Sequence, residues 1–201
     1  RRVLFRSTKA FAHCYSLESM IDLSAITSIS ERAFSNCTKL KNVVIPDNVT
    51  SLGTYVFENC ESLESIQLPT NMTSLPTGFL YGCSSLKTLS LPAGITNMGE
   101  ASLSGSGLET FVIPDKVSTI PVKLFQNCAS LKTVTIPDTV SSIGSYAFSN
   151  CDSLKEIAIP KLTRALPTYL FEGCSSLETI NFHEDITSIG QCAFKDCIGL
   201  K

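Results

Sequence analysis

Apolar residues recur along this chain in one fixed order: a leucine, two residues, a branched or aromatic residue, one residue, another apolar residue, then proline. Leu40-Lys-Asn-Val43-Val-Ile45-Pro46 and Leu131-Lys-Thr-Val134-Thr-Ile136-Pro137 are two instances. Alternation with a period of two, ended by a residue that has no N–H for a ladder, predicts a short half-buried strand. A second apolar pair three apart follows (Val49 and Leu52, Ile95 and Met98, Val140 and Ile143, Ile186 and Ile189), then Gly or Pro, then a short turn ending in Cys. Three positions before that Cys stands Phe11, Phe34, Phe57, Phe125, Phe148, Phe171 or Phe194, with Leu80 and Leu103 in the remaining two turns.

The order repeats at a constant length. Cys14, Cys37, Cys60 and Cys83 are 23 residues apart, Ser106 takes the next slot, and Cys128, Cys151, Cys174 and Cys197 follow after a single interval of 22. Elsewhere the strand Leu lies three residues past the Cys, whereas Ser106 reaches Leu108 in two, which places the deletion in that turn. The slot after the second apolar pair alternates as Gly53, Pro76, Gly99, Pro121, Gly144, Pro167, Gly190, so the unit is a pair of rungs spanning 46 residues. The first rung is degenerate: Asp22 stands where Ile45 or Leu68 stands later and Leu23 replaces the proline, as a local one-residue insertion or an imperfect cap would produce. No rung of this length can bury its own Leu, Ile and Phe, and stacking the rungs makes one continuous core. The prediction is an α/β-type repeat solenoid with short turns in place of long helices. Nine rungs at a strand spacing of ~4.8 Å would give one parallel sheet roughly 40 Å along the stacking axis.

The phrase Leu-x-x-Ile-x-Ile-Pro-x-x-Val-x-x-Ile-Gly-x-x-Ala-Phe-x-x-Cys, almost complete in residues 131–151, resembles the BspA-type (Treponema pallidum class) leucine-rich repeat. The likeness extends over residues 8–201. It implies a right-handed leucine-rich repeat solenoid and a cell-surface or secreted protein, since family members include adhesins for matrix proteins or other cells. It carries no catalytic residues across.

Charge and composition narrow the function classes. Sixteen Lys plus Arg against 18 Asp plus Glu leave a net charge of −2, so no basic field attracts nucleic acid or an anionic membrane. No apolar run approaches the ~18 residues of a membrane span. Residues 1–7 fit no repeat slot and match one reading frame of a short-read sequencing adapter, so they are expected to be non-native and are set aside. The repeat domain is expected to occupy residues 8–201, eight to nine rungs, and to continue as a longer array past Lys201.

Repeated Cys could mean metal binding or a disulfide ladder. Equivalent residues of stacked rungs project in parallel about ~4.8 Å apart, too far for the ~3.8 Å Cβ separation of a bridge. No Cys-x-x-Cys or His pair accompanies them, so they read as buried reduced thiols that donate weakly to the turn backbone. Cys192 differs, falling in a column with Arg32, Tyr55, Gly78, Ala101, Lys123, Tyr146 and Tyr169 that reads as exposed and variable, so a reactive thiol or a bond to Cys197 is conceivable there. A second column runs Glu18, Lys41, Glu64, Lys87, Glu109, Lys132, Lys155, Glu178, Lys201. Its nearly alternating signs would pair laterally between rungs. His13 and His183 lie in different slots about seven rungs apart, and His183-Glu184-Asp185 suggests a turn more than a metal site. Three sequons begin at Asn36, Asn48 and Asn71, the last two sharing a turn column and the first suited to capping its turn.

Two outward strand columns remain: Ser19, Asn42, Ser65, Thr88, Thr110, Thr133, Glu156, Thr179 and Ile21, Val44, Gln67, Ser90, Val112, Thr135, Ala158, Asn181. They form a broad, nearly uncharged, hydroxyl-rich face, although Thr also favours strands for its own sake. With no phosphate loop, nucleophile motif or isolated carboxylate pair, the expectation is a non-catalytic protein- or glycan-binding module, without cofactor or metal, monomeric, extracellular or on the cell surface. Its contact residues would be Ser65, Gln67, Thr88, Ser90, Thr110, Val112, Thr133, Thr135 and Glu156. An intracellular interaction scaffold is the alternative, equally compatible with reduced cysteines. A hydroxyl array that binds an ordered surface such as ice or crystalline polysaccharide is a third reading.

Overall fold

The computed structural model describes residues 7–201; most of the adapter-like segment, residues 1–6, lies outside them. Among the described residues the chain is a stack of rungs made of two- and three-residue parallel strands and tight turns, with no helix long and apolar enough to cross a membrane. Each rung is named below by the Cys, or Ser106, at its start.

The most continuous hydrogen-bonded layer is the turn. The N–H groups of Arg32, Phe34 and Asn36 donate to the carbonyls of Thr54, Val56 and Glu58 in the next turn, at 2.9, 2.9 and 2.7 Å. The intervening N–H groups of Ala33, Ser35 and Cys37 donate within their own turn to Ser30, Arg32 and Phe34. In this turn no N–H is left over, as burial requires. Sending alternate N–H groups along the stack needs two left-handed residues per turn. One column is His13, Asn36, Asn59, Gly82, Gly105, Asn127, Asn150, Gly173, Asp196; the other is Lys9, Arg32, Tyr55, Gly78, Ala101, Lys123, Tyr146, Tyr169, Cys192, and φ lies between 52° and 75° throughout. The second column was expected to be exposed, but Gly78 and Ala101 are buried and its other members from Arg32 onward are half-buried. The backbone there is fixed by the ladder, and each side chain lies along its neighbours: the Arg32 guanidinium sits 4.6 Å above the Tyr55 ring and Tyr146 stacks on Tyr169 at 4.7 Å.

Strand pairing is intermittent, and this corrects the expectation of one unbroken sheet. In the second strand layer the pairs are Ser28–Ile29 with Ser51–Leu52, Ser74–Leu75 with Asn97–Met98, Thr119–Ile120 with Ser142–Ile143, and Ala165–Leu166 with Ser188–Ile189. Every pair joins a rung to a following Gly rung. Gly99, Gly144 and Gly190 donate 2.8 Å hydrogen bonds to Leu75, Ile120 and Leu166 in the preceding Pro rungs, and Gly53 does the same to Ile29. The proline of the other rungs has no N–H to repeat the bond, so pairing stops there. The 46-residue unit read from the sequence is therefore a physical dimer of rungs. Glycine is required by the close approach: a Cβ on Gly144 would lie 2.4 Å from the Val122 nitrogen.

The first strand layer pairs Asn42–Val44 with Ser65–Gln67, Thr110–Val112 with Thr133–Thr135, and Glu156–Ala158 with Thr179–Asn181, with a single bridge from Ser19 to Asn42. The Cys83 rung has no assigned first strand, and the Cys128 and Cys151 rungs do not pair with each other.

The core fills the space between the layers. Phe125, Phe148 and Phe171 are fully buried and stack at 5.5 Å spacings, continuing to Phe194 at 5.7 Å; Phe11, Phe34 and Phe57 form the equivalent run at the other end. Where the Phe slot holds Leu80, the preceding residue Phe79 turns inward and meets Phe57 edge-on at 5.5 Å. Beside the Leu103 turn, Phe111 from a strand packs edge-on against Phe125 at 5.2 Å. Aromatic volume is thus retained by residues from other columns. In the degenerate first rung Leu23 is buried while Asp22 is exposed and accepts the Ser24 N–H, so the inward position is displaced by one residue.

All nine cysteines are free. The thiols of Cys60, Cys83, Cys151 and Cys174 donate to the carbonyls of Phe34, Phe57, Phe125 and Phe148 in the preceding turn, at 3.0–3.3 Å, as the small-hydrophobe reading expects. Ser106 meets Cys128 at 3.4 Å in the same column. Burial lifts the Cys37 and Cys128 thiols from 9.0 to about 11 and Cys60 to about 12.

Phe148→Ala should cost ~3–5 kcal/mol in chemical denaturation, because two flanking rungs lose contact. Tyr146→Ala should lose no more than the ~0.5–1.5 kcal/mol of an aromatic pair, and equal effects would contradict the layer assignment. Gly144→Ala should cost ~1–3 kcal/mol as an overpacked backbone contact, with a neutral result in the same assay counting against the close approach. For the thiols, the folded values lie above the unfolded value of 9.0, so their contribution is complete below pH 9 and shrinks as only the unfolded chain ionises above it. The urea midpoint should decline from about pH 9 upward. At neutral pH the half-buried Cys14 and Cys192 should label rapidly and the buried thiols only on unfolding, which adds Cys14 to the single reactive thiol expected from sequence.

Candidate functional site

The first strand layer presents the two outward columns because its middle residue is drawn inward. Val43, Phe111 and Ile157 are buried, whereas Asn42 and Val44, Thr110 and Val112, and Glu156 and Ala158 on either side of them are exposed. Ser65, Gln67, Thr88, Ser90, Thr110, Val112, Thr133, Thr135 and Glu156 are all exposed, with Val112 at 67%. They lie on consecutive rungs, so the structure assembles them on one face; Ile21, in the displaced first rung, is half-buried.

A second hydroxyl-bearing face, absent from the sequence reading, lies on the other strand layer: Thr50-Ser51, Thr73-Ser74, Thr96-Asn97, Ser118-Thr119, Ser141-Ser142 and Thr187-Ser188 are exposed. The signal was available in the same repeat register. The two faces differ in what their hydroxyls do. Thr50, Thr96, Ser141 and Thr187 donate to the carbonyls of Thr27, Thr73, Ser118 and Arg164 at 3.3, 3.4, 3.4 and 3.0 Å, so the fold uses them. On the first face the Ser65 hydroxyl donates to Asn42 at 2.7 Å, while Thr88, Ser90, Thr110, Thr133 and Thr135 make no side-chain hydrogen bond among the described residues.

Grooves mark the first face where its ladder is open. One of about 460 Å³ is lined by Thr88, Leu89, Ser90, Leu91, Thr110 and Val112, closed at one end by Pro92, Ala93 and Pro114, and carries no charge. Another of about 420 Å³ lies among Lys132, Thr133, Lys155, Glu156, Glu178 and Thr179. Lys132 beside Lys155 is the point where the charge column loses its alternation, and like charges opposite one another oppose pairing. Elsewhere the column closes in part: Glu109 accepts from Lys132 at 2.7 Å and faces Lys87 at 3.8 Å, and Glu178 pairs with Lys201. Lys132 holds the Glu109 carboxyl below its ordinary range, and Lys201 does the same to Glu178. These groups are exposed and set register more than stability.

The other polar candidates are structural. His183 fills the strand-end proline slot, and its Nε2–H donates to the Thr163 carbonyl at 2.9 Å. Asn48 donates its amide to the carbonyls of Leu23 and Ile26, and Asn36 accepts from the Asn59 amide at 3.2 Å; Asn71 is exposed and donates to Asp47. Cys192 lies beside Tyr169, whose phenol it pushes up. Among the described residues no three His, Cys, Asp or Glu side chains gather as a metal-holding group.

Similarity to known proteins agrees with this architecture. A leucine rich cell surface protein from Faecalibacterium prausnitzii is 27% identical and superposes with a TM-score of 0.58 over 96% of this chain and 67% of its own. The T. pallidum leucine rich repeat protein is 25% identical, with a TM-score of 0.57 over 92% of this chain and 76% of its own. The pneumococcal vaccine antigen PcpA, 17% identical with a TM-score of 0.64 over 90% of this chain and 55% of its own, shares the fold. No curated protein sequence gives a match. The BspA type leucine rich repeat region matches in six copies over residues 6–132 and 118–201, and with its rungs, turns and thiol column in place this chain belongs to the BspA-type leucine-rich repeat family.

Proposed function

We propose that this chain is a non-catalytic binding module of a cell-surface or secreted protein, and that a protein or glycan partner docks on the first strand face around Thr88, Ser90, Thr110, Val112, Thr133 and Thr135, with Ser65, Gln67 and Glu156 at the margins. The observation that carries this reading is the state of the hydroxyls. On that face the Thr88, Ser90, Thr110, Thr133 and Thr135 hydroxyls are exposed and uncommitted, beside an uncharged groove, whereas on the opposite strand layer four are tied to main-chain carbonyls. A partner gains hydrogen bonds there without breaking any that the fold uses, and displaces water from Val112 and the groove floor at little electrostatic cost. The description of the Faecalibacterium relative as a cell surface protein supports the location.

The test is a panel of matrix proteins and a glycan array screened with the wild-type chain, followed by the double variant Thr110→Arg and Thr133→Arg. Added bulk and unpaired charge should reduce binding to whichever probe is captured by more than tenfold, ~1.4 kcal/mol or more, with little change in melting temperature. Lys123→Ala, in the turn layer, should leave binding intact. If the double variant binds as tightly as wild type while turn substitutions abolish binding, the strand face is scaffold only.

A further inference from the structure

The first strand layer is interrupted on both sides of residues 88–91: at the regular interval that separates them from Ser65–Gln67, and at the one irregular interval in the sequence, which follows them. The turn entering the Ser106 rung is one residue short, and Gly107 lies so close to the preceding rung that a Cβ would stand 2.0 Å from the Ser84 carbonyl oxygen. Past that turn a single rung-to-rung bond forms in this layer, from the Glu109 N–H to the Lys87 carbonyl at 3.1 Å. Beyond it the strands separate. At the paired junctions the Ile45, Ile113 and Ile159 N–H groups close the ladder onto Gln67, Thr135 and Asn181. Leu91, in the same column, closes onto nothing, and among the described residues the main chains of Thr88, Leu89, Ser90 and Leu91 make no hydrogen bond. The second strand layer does not bridge this junction either, because Pro121 has no N–H to offer Met98. The Cys83 and Ser106 rungs are held together chiefly by their turns, through Ala101 to Val122 and Gly105 to Gln126.

An extended backbone with free donors and acceptors at every second residue, ~6.6 Å apart, is complementary to another extended chain. Its surroundings define which chain. The groove beside it is lined by hydroxyls (Thr88, Ser90, Thr110) and apolar groups (Leu91, Phe111, Val112) without a charge, so a charged segment would lose hydration with no partner. Its volume, about 460 Å³, falls within the ~300–1,000 Å³ of ordinary ligand sites. We infer that the unpaired strand at residues 88–91 and the groove beside it bind an extended, uncharged peptide segment of a protein partner through main-chain hydrogen bonds. This rests on the strand-face reading above and names the class of partner. Recognition by strand addition takes affinity from the backbone and specificity from alternate side chains; here these would face Leu91 and Val112.

The probe is the capped peptide Ac-Thr-Val-Thr-Val-Thr-NH2, titrated into the full 15N-labelled chain and followed by amide shifts. The expected result is saturable shifts at Thr88, Leu89, Ser90, Leu91 and Val112, at least tenfold weaker for the same peptide N-methylated at alternate residues. Inserting one Gly between Ser106 and Gly107 restores the 23-residue interval on the side of the groove; this variant should draw residues 88–91 onto Thr110–Val112, close the groove and lose the shifts. Absence of shifts at these amides, equal binding of the methylated peptide, undiminished binding by a folded insertion variant, or shifts there with chitohexaose and not with the peptide would each overturn the inference. If the insertion fails to fold, the methylated peptide still decides. The failure modes separate: a partner retained by the Thr110→Arg and Thr133→Arg variant refutes the strand face, whereas one lost by that variant but kept by the insertion variant refutes only the open strand.

Discussion

The rest of the structure depends on the hydrogen-bonded stacking of the turns. Strand pairing lapses at several junctions, but the turn-to-turn bonds continue from Lys9 to Lys195, reduced only at the Leu103 turn, where Ala101 and Gly105 donate and Leu103 does not. Continuity of this kind requires the left-handed conformation twice in every turn, at a cost of ~1–2 kcal/mol for each residue with a Cβ. The ladder offsets that cost by pairing N–H groups that would otherwise be buried without partners. The cysteine column belongs to the same device. Its thiols donate to the carbonyl of the residue three before the preceding Cys, an acceptor that also receives that Cys N–H, as the Phe34 carbonyl does from Cys37 and Cys60. Stacked phenylalanines fill the space beneath.

Given that spine, the strand layers are free to vary, and they do so in two distinct ways. The Gly and Pro alternation divides the second layer into dimers of rungs through the presence or absence of one N–H. In the first layer two breaks fall where the chain is irregular, at the shortened turn before Leu108 and at the Lys132 and Lys155 pair, and a third falls at a regular interval, between Ser65–Gln67 and residues 88–91. A binding face built on such a layer presents grooves in place of a flat sheet, and the grooves differ in character, one uncharged and one bearing charges of both signs.

Much of this was legible in the sequence, because a stacked repeat turns each spatial column into a sequence column. The rung length, the inward Phe and Leu, the unbridged thiols, the two-rung unit and the outward hydroxyls could all be read by alignment on Cys. The left-handed column of Asn, Gly, His and Asp was readable in principle, since those residues tolerate positive φ. Its companion was not: Arg32, Tyr55, Lys123, Tyr146 and Tyr169 carry no such preference, and the ladder imposes the conformation on them. Substitution across columns was also hidden. Phe79 beside Leu80, and Phe111 opposite Leu103, restore volume from slots that a column-by-column reading keeps apart. The open strand at residues 88–91 depends on the placement of the rungs on both sides of it, and the deletion signals only the one that follows.

The central claim is that the turns, and not the strands, form the continuous framework, and native-state hydrogen exchange tests it most directly. Amides of Phe34, Asn36, Phe148 and Asn150 should exchange only through global unfolding, while those of the paired strands, such as Val43 and Val134, open at lower free energy and those of residues 88–91 exchange fastest. Strand amides that outlast the turn amides, with Leu89 and Leu91 as protected as Val134, would contradict it.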